Sequence, residues 1–311
     1  MDKPVGIVAA GSYVPEKRLT NADLEKMVAT SDEWITTRTG IKERRIAGAE
    51  LVADLATAAS RNCLNGTGIR PDFLIASSGT TERKFPYLGS IIANRLQLTG
   101  LGALDLNAGC SGLVYSMAVA YGLMQTGTYH NVLITAAEKM TDYVDFSDRS
   151  SCILFGDGAS ALLLSTQQTD HQILTFELGT DATGYDQVVM GGPDADFYFR
   201  QEGRSVFKFA VNKVEELVTL FKERLGLRDY KRLHIIPHQA NIRIIEAAAD
   251  KLKIPLDKFV CNIHKYGNTS SASIGLVLQE GWQEGRFQTG DFLFLIGFGA
   301  GLSWAGAVVR W

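Results

Sequence analysis

Cys110 is the residue of this 311-residue chain whose surroundings best suit nucleophilic chemistry. Residues 101–106 predict a short buried strand before it, and residues 113–124 are apolar nearly all round, as in a central core helix. Its neighbours are small enough to admit a substrate: Ala108, Gly109, Ser111 and Gly112. At a helix N-terminus, free N–H groups and the helix dipole lower the pKa of a thiol. Most free cysteines are small buried hydrophobes, but this setting favours a nucleophile.

The other three cysteines, Cys63, Cys152 and Cys261, lie in apolar or ordinary stretches and are interpreted as small buried hydrophobes. All four cysteines are widely spaced, and no two form a C-x-x-C pair. The pattern fits neither a disulfide framework nor a zinc site, so no metal site is predicted.

Two polar residues and one glycine-rich turn are candidate partners for the thiol. His238 follows the predicted strand 233–236 at its C-terminal end, where α/β sheets place their sites. Asn268 stands at the start of a second apolar helix, and residues 297–301 form a turn able to aim backbone N–H groups into a cavity. Each feature has a simpler interpretation, as a satisfied polar residue, a helix cap or an ordinary turn. The turn matches a nucleotide-binding loop only weakly, since no suitable helix follows it.

The chain contains two similar series of elements. Cys110 precedes an apolar helix that ends near Gly127, and Asn268 precedes one that ends near Gly285; a strand follows each helix. The offsets agree, since 268 − 110 and 285 − 127 both equal 158. Upstream, a strand at 73–78 and a helix at 88–96 match a strand at 233–238 and a helix at 241–252.

Chance pairing of similar α/β units is the alternative, but three matched units in the same order favour internal duplication. We therefore predict an N-terminal half, residues 1–165, that carries Cys110. A C-terminal half, residues 166–311, carries His238 and Asn268. Alternating strands and helices predict mixed, mostly parallel sheets covered by helices, and two such halves back to back would bring both turns to one central site.

Composition and charge narrow the function classes. Hydrophobic residues make up 46% of the chain and charged residues 21%, as in ordinary globular proteins. A net charge of −3 with no basic stripe argues against nucleic acid as a partner. The first residues lack a signal-peptide pattern, and no uncharged run reaches the roughly 18–20 residues of a membrane span. We therefore expect a reduced, cytoplasmic protein with no membrane partner.

Taken together, these residues resemble the β-ketoacyl-acyl carrier protein synthase III family, the initiating condensing enzymes of fatty-acid synthesis within the thiolase-fold superfamily. The resemblance covers almost the whole chain, and its motifs lie at residues 30–41, 107–112, 148–149, 155–159, 203–211, 237–242, 266–274 and 297–304. It implies a thiolase-like α/β fold in which two pseudo-duplicated βαβαβαββ halves form an αβαβα layered sandwich.

The resemblance also implies a mechanism. Cys110, His238 and Asn268 match the Cys–His–Asn triad of the initiating type, whereas relatives with Cys–His–His or Cys–His–Cys elongate chains or run thiolase chemistry. Cys110 would attack an acyl-CoA, with the N–H groups of Cys110 and Ala300 as the oxyanion hole. His238 and Asn268 would donate hydrogen bonds to the enolate formed when malonyl-acyl carrier protein loses CO₂. No step needs a metal or redox cofactor, and the coenzyme A thioester enters as substrate.

Residues that would hold the primer follow from the same resemblance. Trp34 and Arg38, with Arg149 nearby, match positions that bind coenzyme A, although alone they would indicate packing and surface salt bridges. Phe85 matches the residue that a partner subunit inserts at the acyl pocket. The resemblance therefore implies a homodimer.

A basic patch for the acidic carrier protein is implied as well. Arg243, Lys208 and Lys251 match that patch, and the simpler interpretation is a few solvated charges.

The sequence departs from the family pattern mainly near the acyl pocket. The stretch 45–73 is several residues shorter than usual, and residues 80–89 lack the usual pattern. Gly109 stands where alanine is common, Gly275 where proline is common and Ala300 where glycine is common. Primer length and branching stay open. One alternative is a same-fold acyltransferase of secondary metabolism, by acyl transfer or condensation on another substrate. Another is a non-catalytic binding subunit, which would be expected to lack Cys110.

Overall fold

The computed structural model describes residues 3–192 and 197–311, in which strands and helices alternate along the chain. The strands are β1 (Gly6–Tyr13), β2 (Arg18–Thr20), β3 (Glu43–Arg45), β4 (Phe73–Ser77), β5 (Gly102–Leu106), β6 (Asn131–Glu138), β7 (Gly158–Ser165), β8 (Gln172–Thr180), β9 (Val188–Val189), β10 (Arg200–Gln201), β11 (Leu233–Pro237), β12 (Phe292–Gly299) and β13 (Ser303–Arg310). The helices are α1 (Asn21–Leu24), α2 (Asp32–Thr39), α3 (Val52–Leu64), α4 (Leu88–Arg95), α5 (Gly112–Gln125), α6 (Arg149–Cys152), α7 (Gly203–Leu225), α8 (Ile242–Leu252), α9 (Ile263–Tyr266) and α10 (Ser273–Gln283).

Nine strands form one mixed sheet in the order β11-β12-β13-β8-β1-β7-β6-β4-β5. In the first half β4 is parallel to β5 and β6, while β7 is antiparallel to β6 and β1. The second half repeats the arrangement, with β11 parallel to β12 and β13 antiparallel to β12 and β8. A parallel bridge between Ile235 and Phe259 stands where β5 stands in the first half. The halves join where Gly6 pairs with Gln172.

Helices form three layers around this sheet. α3 and α4 share one core with β4, β6 and β7, and α7 and α8 share another with β11, β12 and β13. Between them α5 and α10 share a third core with strands of both halves. α5 can take this place because it is apolar on all sides, and Leu113, Val114 and Met117 are fully buried. Because α5 and α10 lie between the two halves of the sheet, these halves form the two β layers of the expected αβαβα sandwich.

The start of α10 differs from the sequence-based expectation. Cys110 lies in a one-turn 3-10 helix, Gly109–Ser111, just before α5. The matching turn before α10 is Ser270–Ala272, so Asn268 precedes the turn and does not open the helix. The offset between the turns is therefore 270 − 109 = 161, and β6 and β12 keep that same offset. An offset of 158 holds only at the helix ends, because α5 has 14 residues and α10 has 11.

The boundaries 1–165 and 166–311 remain a prediction, although the strand order has the repetition they require. Among the described residues, no helix is both long and apolar enough to cross a membrane.

Candidate active site

Cys110 lies where two cavities meet in the middle layer. The larger cavity, of about 740 Å³, is lined in part by Leu106, Tyr115 and Met190. The smaller, of about 360 Å³, is lined by His238 and Asn268 among others. Cys110 and Ala300 line both cavities. The thiol therefore stands between a mainly apolar space and a second space that contains the predicted histidine and asparagine.

Two glycines without side chains leave room for the sulfur of Cys110. Gly299 ends β12 against Cys110, and a Cβ atom there would lie 2.8 Å from the Cys110 Cβ and 3.2 Å from its Sγ. Gly109 has a φ of +52°, a left-handed conformation that glycine adopts without strain. A Cβ atom at Gly109 would lie 3.4 Å from the Cβ of Ala300. The first three residues of the predicted turn 297–301 belong to β12, and the turn itself begins at Ala300, which is thus in direct contact with the turn that carries the thiol.

The pKa of the thiol moves in the opposite direction to the one predicted from its place before a helix. Burial raises the pKa of Cys110 to about 11, and the nearby Glu138 carboxylate adds to the increase. A hydrogen bond to the Ser270 hydroxyl, 3.5 Å from Sγ, acts the other way. Cys110 is therefore a neutral thiol at neutral pH, and forming the nucleophile requires removal of its proton.

His238 follows β11 directly, and its backbone N–H donates to the carbonyl of Ile296 on β12 at 2.8 Å. The residue is 2% exposed, and burial lowers the pKa of its imidazole to about 3. Nδ1 lies 2.7 Å from the Ser273 hydroxyl, which also accepts a hydrogen bond from the Gln239 N–H at 3.4 Å. The imidazole is therefore neutral and held in one orientation from the helix α10 side.

Asn268 is held by its backbone and by its side-chain oxygen. Its N–H donates to the Leu154 carbonyl at 2.8 Å, and its own carbonyl accepts from Gly156 at 3.1 Å. The side-chain Oδ1 accepts a hydrogen bond from the Ser270 N–H at 2.8 Å. Because the oxygen is used in this way, the amide NH₂ is the end of the side chain left to face the cavity that Asn268 lines.

Glu138 and Ser270 are site residues that the sequence reasoning missed. Glu138 ends β6, is completely buried, and accepts hydrogen bonds from Thr80 Oγ1 at 2.7 Å and Ser271 Oγ at 2.6 Å. Ser270 Oγ lies 3.3 Å from Glu138 Oε1 as well as 3.5 Å from the Cys110 sulfur. The available signal was a carboxylate that directly follows a run of buried apolar residues, a position where charge is unusual.

The three residues assigned to coenzyme A cluster at the smaller cavity. Trp34 and Arg38, both on α2, line it. The Arg149 guanidinium lies over the Trp34 ring, 4.8 Å from its centre, and donates to the Ala29 carbonyl at 3.0 Å. The smaller cavity thus extends from the thiol to an aromatic ring with exposed arginines beside it.

The residues of the expected docking patch are not equivalent. Arg243 is exposed in the first turn of α8 and lines the smaller cavity. Lys208 is exposed on α7. Lys251, in the last turn of α8, forms an ion pair with Glu215 at 2.6 Å and donates to Asn212 at 2.9 Å. Arg243 is therefore the member nearest to the candidate chemistry.

Phe85 is 86% exposed and lines neither of the two cavities at Cys110 within its own chain. The other three cysteines line neither cavity, and burial raises the pKa of each: Cys63 to about 12, Cys152 to about 11 and Cys261 to about 12. Cys63 and Cys152 are buried, as the interpretation as small buried hydrophobes expects, whereas Cys261 is only partly buried.

An αβαβα sandwich whose two halves each bring a strand, a tight turn and a helix to a central cysteine defines the class of thiolase-like proteins. Comparisons with known proteins narrow this class. The family profile described as 3-oxoacyl-[acyl-carrier-protein (ACP)] synthase III matches residues 104–182. The profile for the C-terminal part of the same enzymes matches residues 222–311.

Individual relatives agree along the full length of the chain. The β-ketoacyl-[acyl-carrier-protein] synthase III of Caldanaerobacter subterraneus is 43% identical, over 98% of this chain and 97% of the relative. The Aquifex aeolicus 3-oxoacyl-[acyl-carrier-protein] synthase III, known from a crystal structure, is 40% identical in sequence and has a TM-score of 0.93, over 99% of this chain and 100% of that one. The Pseudomonas aeruginosa enzyme is 36% identical with a TM-score of 0.94, over 99% and 98%.

The chain belongs to the β-ketoacyl-[acyl-carrier-protein] synthase III family, and it is an acyltransferase. The fold class and enzyme class predicted from the sequence are thereby confirmed. The alternative role in secondary metabolism is not favoured by these similarities.

Proposed function

We propose that Cys110, His238 and Asn268 perform a decarboxylative condensation of an acyl-CoA primer with malonyl-acyl carrier protein, the step that starts fatty-acid synthesis. The observation that carries the proposal is the cavity of about 360 Å³ that all three side chains line. A nucleophile and two neutral hydrogen-bond donors in one cavity match a reaction with an acyl-enzyme and an enolate intermediate.

In the first half-reaction, the Cys110 sulfur attacks the thioester carbonyl of the primer. A bond forms between Sγ and the acyl carbon, the bond from that carbon to the coenzyme A sulfur breaks, and coenzyme A leaves with the proton from Cys110. The N–H groups of Cys110 and Ala300 are the proposed donors to the tetrahedral oxyanion. Their turns are in contact through Gly109, which supports this assignment.

In the second half-reaction, the malonyl thioester loses CO₂, and negative charge develops on its thioester oxygen. We assign His238 the Nε2–H tautomer, because the Ser273 hydroxyl accepts from Gln239 and can donate its proton to Nδ1. Asn268 donates its NH₂ beside it. The carbanion then attacks the acyl carbon, the Sγ–carbon bond breaks, and the Cys110 thiolate takes up one proton from solvent.

Each of the two cavities would bind one end of the primer. The smaller cavity, with Trp34, Arg38 and the adjoining Arg149, would take coenzyme A and later the carrier-protein arm. The larger cavity, with apolar side chains such as Leu106 and Met190, would take the acyl chain. Chain length is not set by this geometry alone, because the exposed Phe85 is proposed to reach the same region of a second subunit.

The assembly and partners belong to the same proposal. The protein would act as a homodimer in the cytoplasm and would dock the acidic carrier protein through Arg243, supported by Lys208 and Lys251. The two halves, 1–165 and 166–311, would each contribute one side of the site. Apart from the substrate thioesters, the proposed steps use only groups of the chain itself.

The proposal is tested by intact-mass analysis and peptide mapping of the protein after incubation with two-, four-, six- and eight-carbon acyl-CoAs, followed by malonyl-acyl carrier protein. We expect one acyl group on a peptide containing Cys110 and its loss on addition of malonyl-acyl carrier protein, with formation of the 3-oxoacyl product. Acylation of another residue, or an acyl group that malonyl-acyl carrier protein does not remove, would contradict the proposal.

A further inference from the structure

We propose that Ser270 and Glu138 form a proton relay for the Cys110 thiol, in which Ser270 is a further catalytic residue and Glu138 acts through it. The proposal rests on the role proposed above for Cys110. Its basis is a single hydroxyl that bridges the two groups. Ser270 Oγ lies 3.5 Å from Cys110 Sγ and 3.3 Å from Glu138 Oε1.

The backbone holds Ser270 in this bridging position. Its φ is +49°, a left-handed conformation that non-glycine residues seldom adopt and that surrounding structure must maintain. Its N–H donates to Asn268 Oδ1 at 2.8 Å, and the residue is 5% exposed. Ser270 therefore contacts both the reacting sulfur and the side chain proposed to bind the enolate.

Glu138 is suited to accept a proton because it is a buried carboxylate bonded by neutral donors. They are Thr80 Oγ1 at 2.7 Å, Ser271 Oγ at 2.6 Å, Gly79 N at 3.1 Å and Ser78 Oγ at 3.3 Å, besides Ser270. An ionised carboxylate in such a place is costly without a cation. Burial raises the pKa of Glu138, which makes the carboxylate a stronger base, and the hydrogen bonds from Ser271, Thr80, Gly79 and Ser270 act the other way and favour the ionised form that accepts the proton.

A relay also avoids placing two negative charges side by side. If Cys110 lost its proton to bulk water, the thiolate would form next to the ionised carboxylate, which disfavours it. If the proton moves to Glu138 instead, the negative charge is transferred from oxygen to sulfur and the pocket keeps one charge. This is the physical advantage of connecting the two groups through one hydroxyl.

The proton balance of acyl loading is closed. The thiol proton passes to Ser270 Oγ while the proton of Ser270 passes to Glu138 Oε1. Sγ forms its bond to the acyl carbon, the bond from that carbon to the coenzyme A sulfur breaks, and coenzyme A leaves as a thiolate. The proton returns from Glu138 through Ser270 to this thiolate, so loading consumes and releases none.

The other titratable groups considered near Glu138 are either paired elsewhere or neutral. The Lys139 ammonium donates to the Gly48 carbonyl at 3.1 Å and pairs with Asp142 at 3.3 Å. Tyr143 has a raised pKa, from burial first and then from Asp142 and Glu138, and so stays neutral. His238 is neutral because burial lowers its pKa to about 3. Cys110 is the titratable group that Ser270 connects to Glu138.

Glu138→Gln tests the relay in single-turnover loading from acyl-CoA, followed by quenching and intact-mass analysis between about pH 6 and about pH 10. We expect loading near neutral pH to fall by on the order of 10²-fold. Its logarithm should then rise with unit slope against pH, because hydroxide replaces the missing acceptor. Simple electrostatics predicts the reverse, since removal of a neighbouring anion lowers the thiol pKa. Loading that is unchanged or faster near neutral pH would therefore overturn the relay.

Matched variants separate the relay from a merely structural role. Ser270→Ala should show the same loss of loading near neutral pH and the same rise of the loading rate with pH. Because it leaves the other donors to Glu138 in place, this variant tests the relay if Glu138→Gln does not fold. Glu138→Asp keeps a carboxylate and should restore part of the neutral-pH rate. Cys152→Ser, at a buried residue that lines neither cavity, is the control that should keep the wild-type pH profile.

The outcomes distinguish this inference from the proposed function. If wild-type protein carries its acyl group on a residue other than Cys110, the proposed function fails. If Cys110 is acylated but Glu138→Gln and Ser270→Ala both keep the wild-type pH profile, only the relay fails.

Discussion

Two turns at the centre of the molecule have the same backbone form but different surroundings. Gly109–Ser111 precedes α5 and Ser270–Ala272 precedes α10, and their first residues have φ values of +52° and +49°. At the shared offset of 161, the counterpart of Cys110 is Ser271. Cys110 lines both cavities, whereas Ser271 is 1% exposed and donates to a buried carboxylate.

The strand ends beside these turns explain the difference. Glu138 ends β6 and Gly299 ends β12, again 161 residues apart. Gly299 has no side chain, so the space next to Cys110 stays open for a substrate. Glu138 fills the equivalent space and binds Ser271 at 2.6 Å. The duplicated framework therefore forms one open site and one filled site, and the filled one lies within hydrogen-bond reach of the thiol through Ser270.

The largest effect is expected from moving the nucleophile between the two turns. Cys110→Ser should abolish detectable loading, because the thiolate is the nucleophile. Adding Ser271→Cys should not restore it, because residue 271 faces Glu138 and lines neither cavity. Intact-mass analysis after incubation with acyl-CoA measures both, and Cys152→Ser is the control that should still load. Stoichiometric acylation of the double variant would show that the two turns are interchangeable.

Variants at His238 and Asn268, in the C-terminal half, should affect the second half-reaction and not the first. His238→Ala and Asn268→Ala should each still form the acyl-enzyme but lose condensation by roughly 10²–10³-fold, because each removes one donor to the enolate. Loading and malonyl decarboxylation assayed separately check this. Normal condensation by the Asn268 variant would remove that residue from the mechanism.

The pH dependence of condensation sharpens this assignment. The pKa of His238 is lowered by burial to about 3, so the ring stays neutral as pH falls through the ordinary histidine range near 6.5. We therefore expect no inflection from this group in the wild-type condensation rate there. An inflection near pH 6.5 in the wild-type condensation rate that disappears in His238→Ala would contradict the role of His238 as a neutral donor.

Filling the open strand end should have a moderate effect. In Gly299→Ala the new Cβ would lie 2.8 Å from the Cys110 Cβ, so the sulfur must shift. A misplacement of about 1 Å typically costs on the order of 10²-fold, and loading should fall by about that much. Gly122→Ala on α5 is the control, since a Cβ there meets no atom within 4 Å. If both variants load at the wild-type rate, the open space beside the sulfur is not required.

The smallest effect is expected at the rim of the smaller cavity. Arg243→Glu should raise KM for malonyl-acyl carrier protein by roughly tenfold or less, because an exposed charge facing an acidic partner mainly changes the association rate. Loading from acyl-CoA should hardly change. Lys251→Gln should have less effect, since that charge is already paired with Glu215. Unaltered carrier-protein kinetics for the Arg243 variant at low salt would place the docking patch elsewhere.

Elements with a strong local signal were predictable. The strand expected at 73–78 is Phe73–Ser77, the helix expected at 88–96 is Leu88–Arg95, and the central helix expected at 113–124 is Gly112–Gln125. Long apolar runs bounded by small or polar residues determine such elements locally. The start of α10 was misplaced because the turn Ser270–Ala272 adopts its form against distant residues of the chain.

The sequence by itself determined the class of the protein, because Cys110, His238 and Asn268 stand in recognisable strand, turn and helix contexts. Only the tertiary structure decided the state of the thiol. A neighbouring helix would lower its pKa, but burial among segments far apart in the chain, with the Glu138 carboxylate close by, raises it to about 11, although the Ser270 hydrogen bond acts the other way. Desolvation depends on which segments pack around a group, and that packing exists only once both halves are folded together.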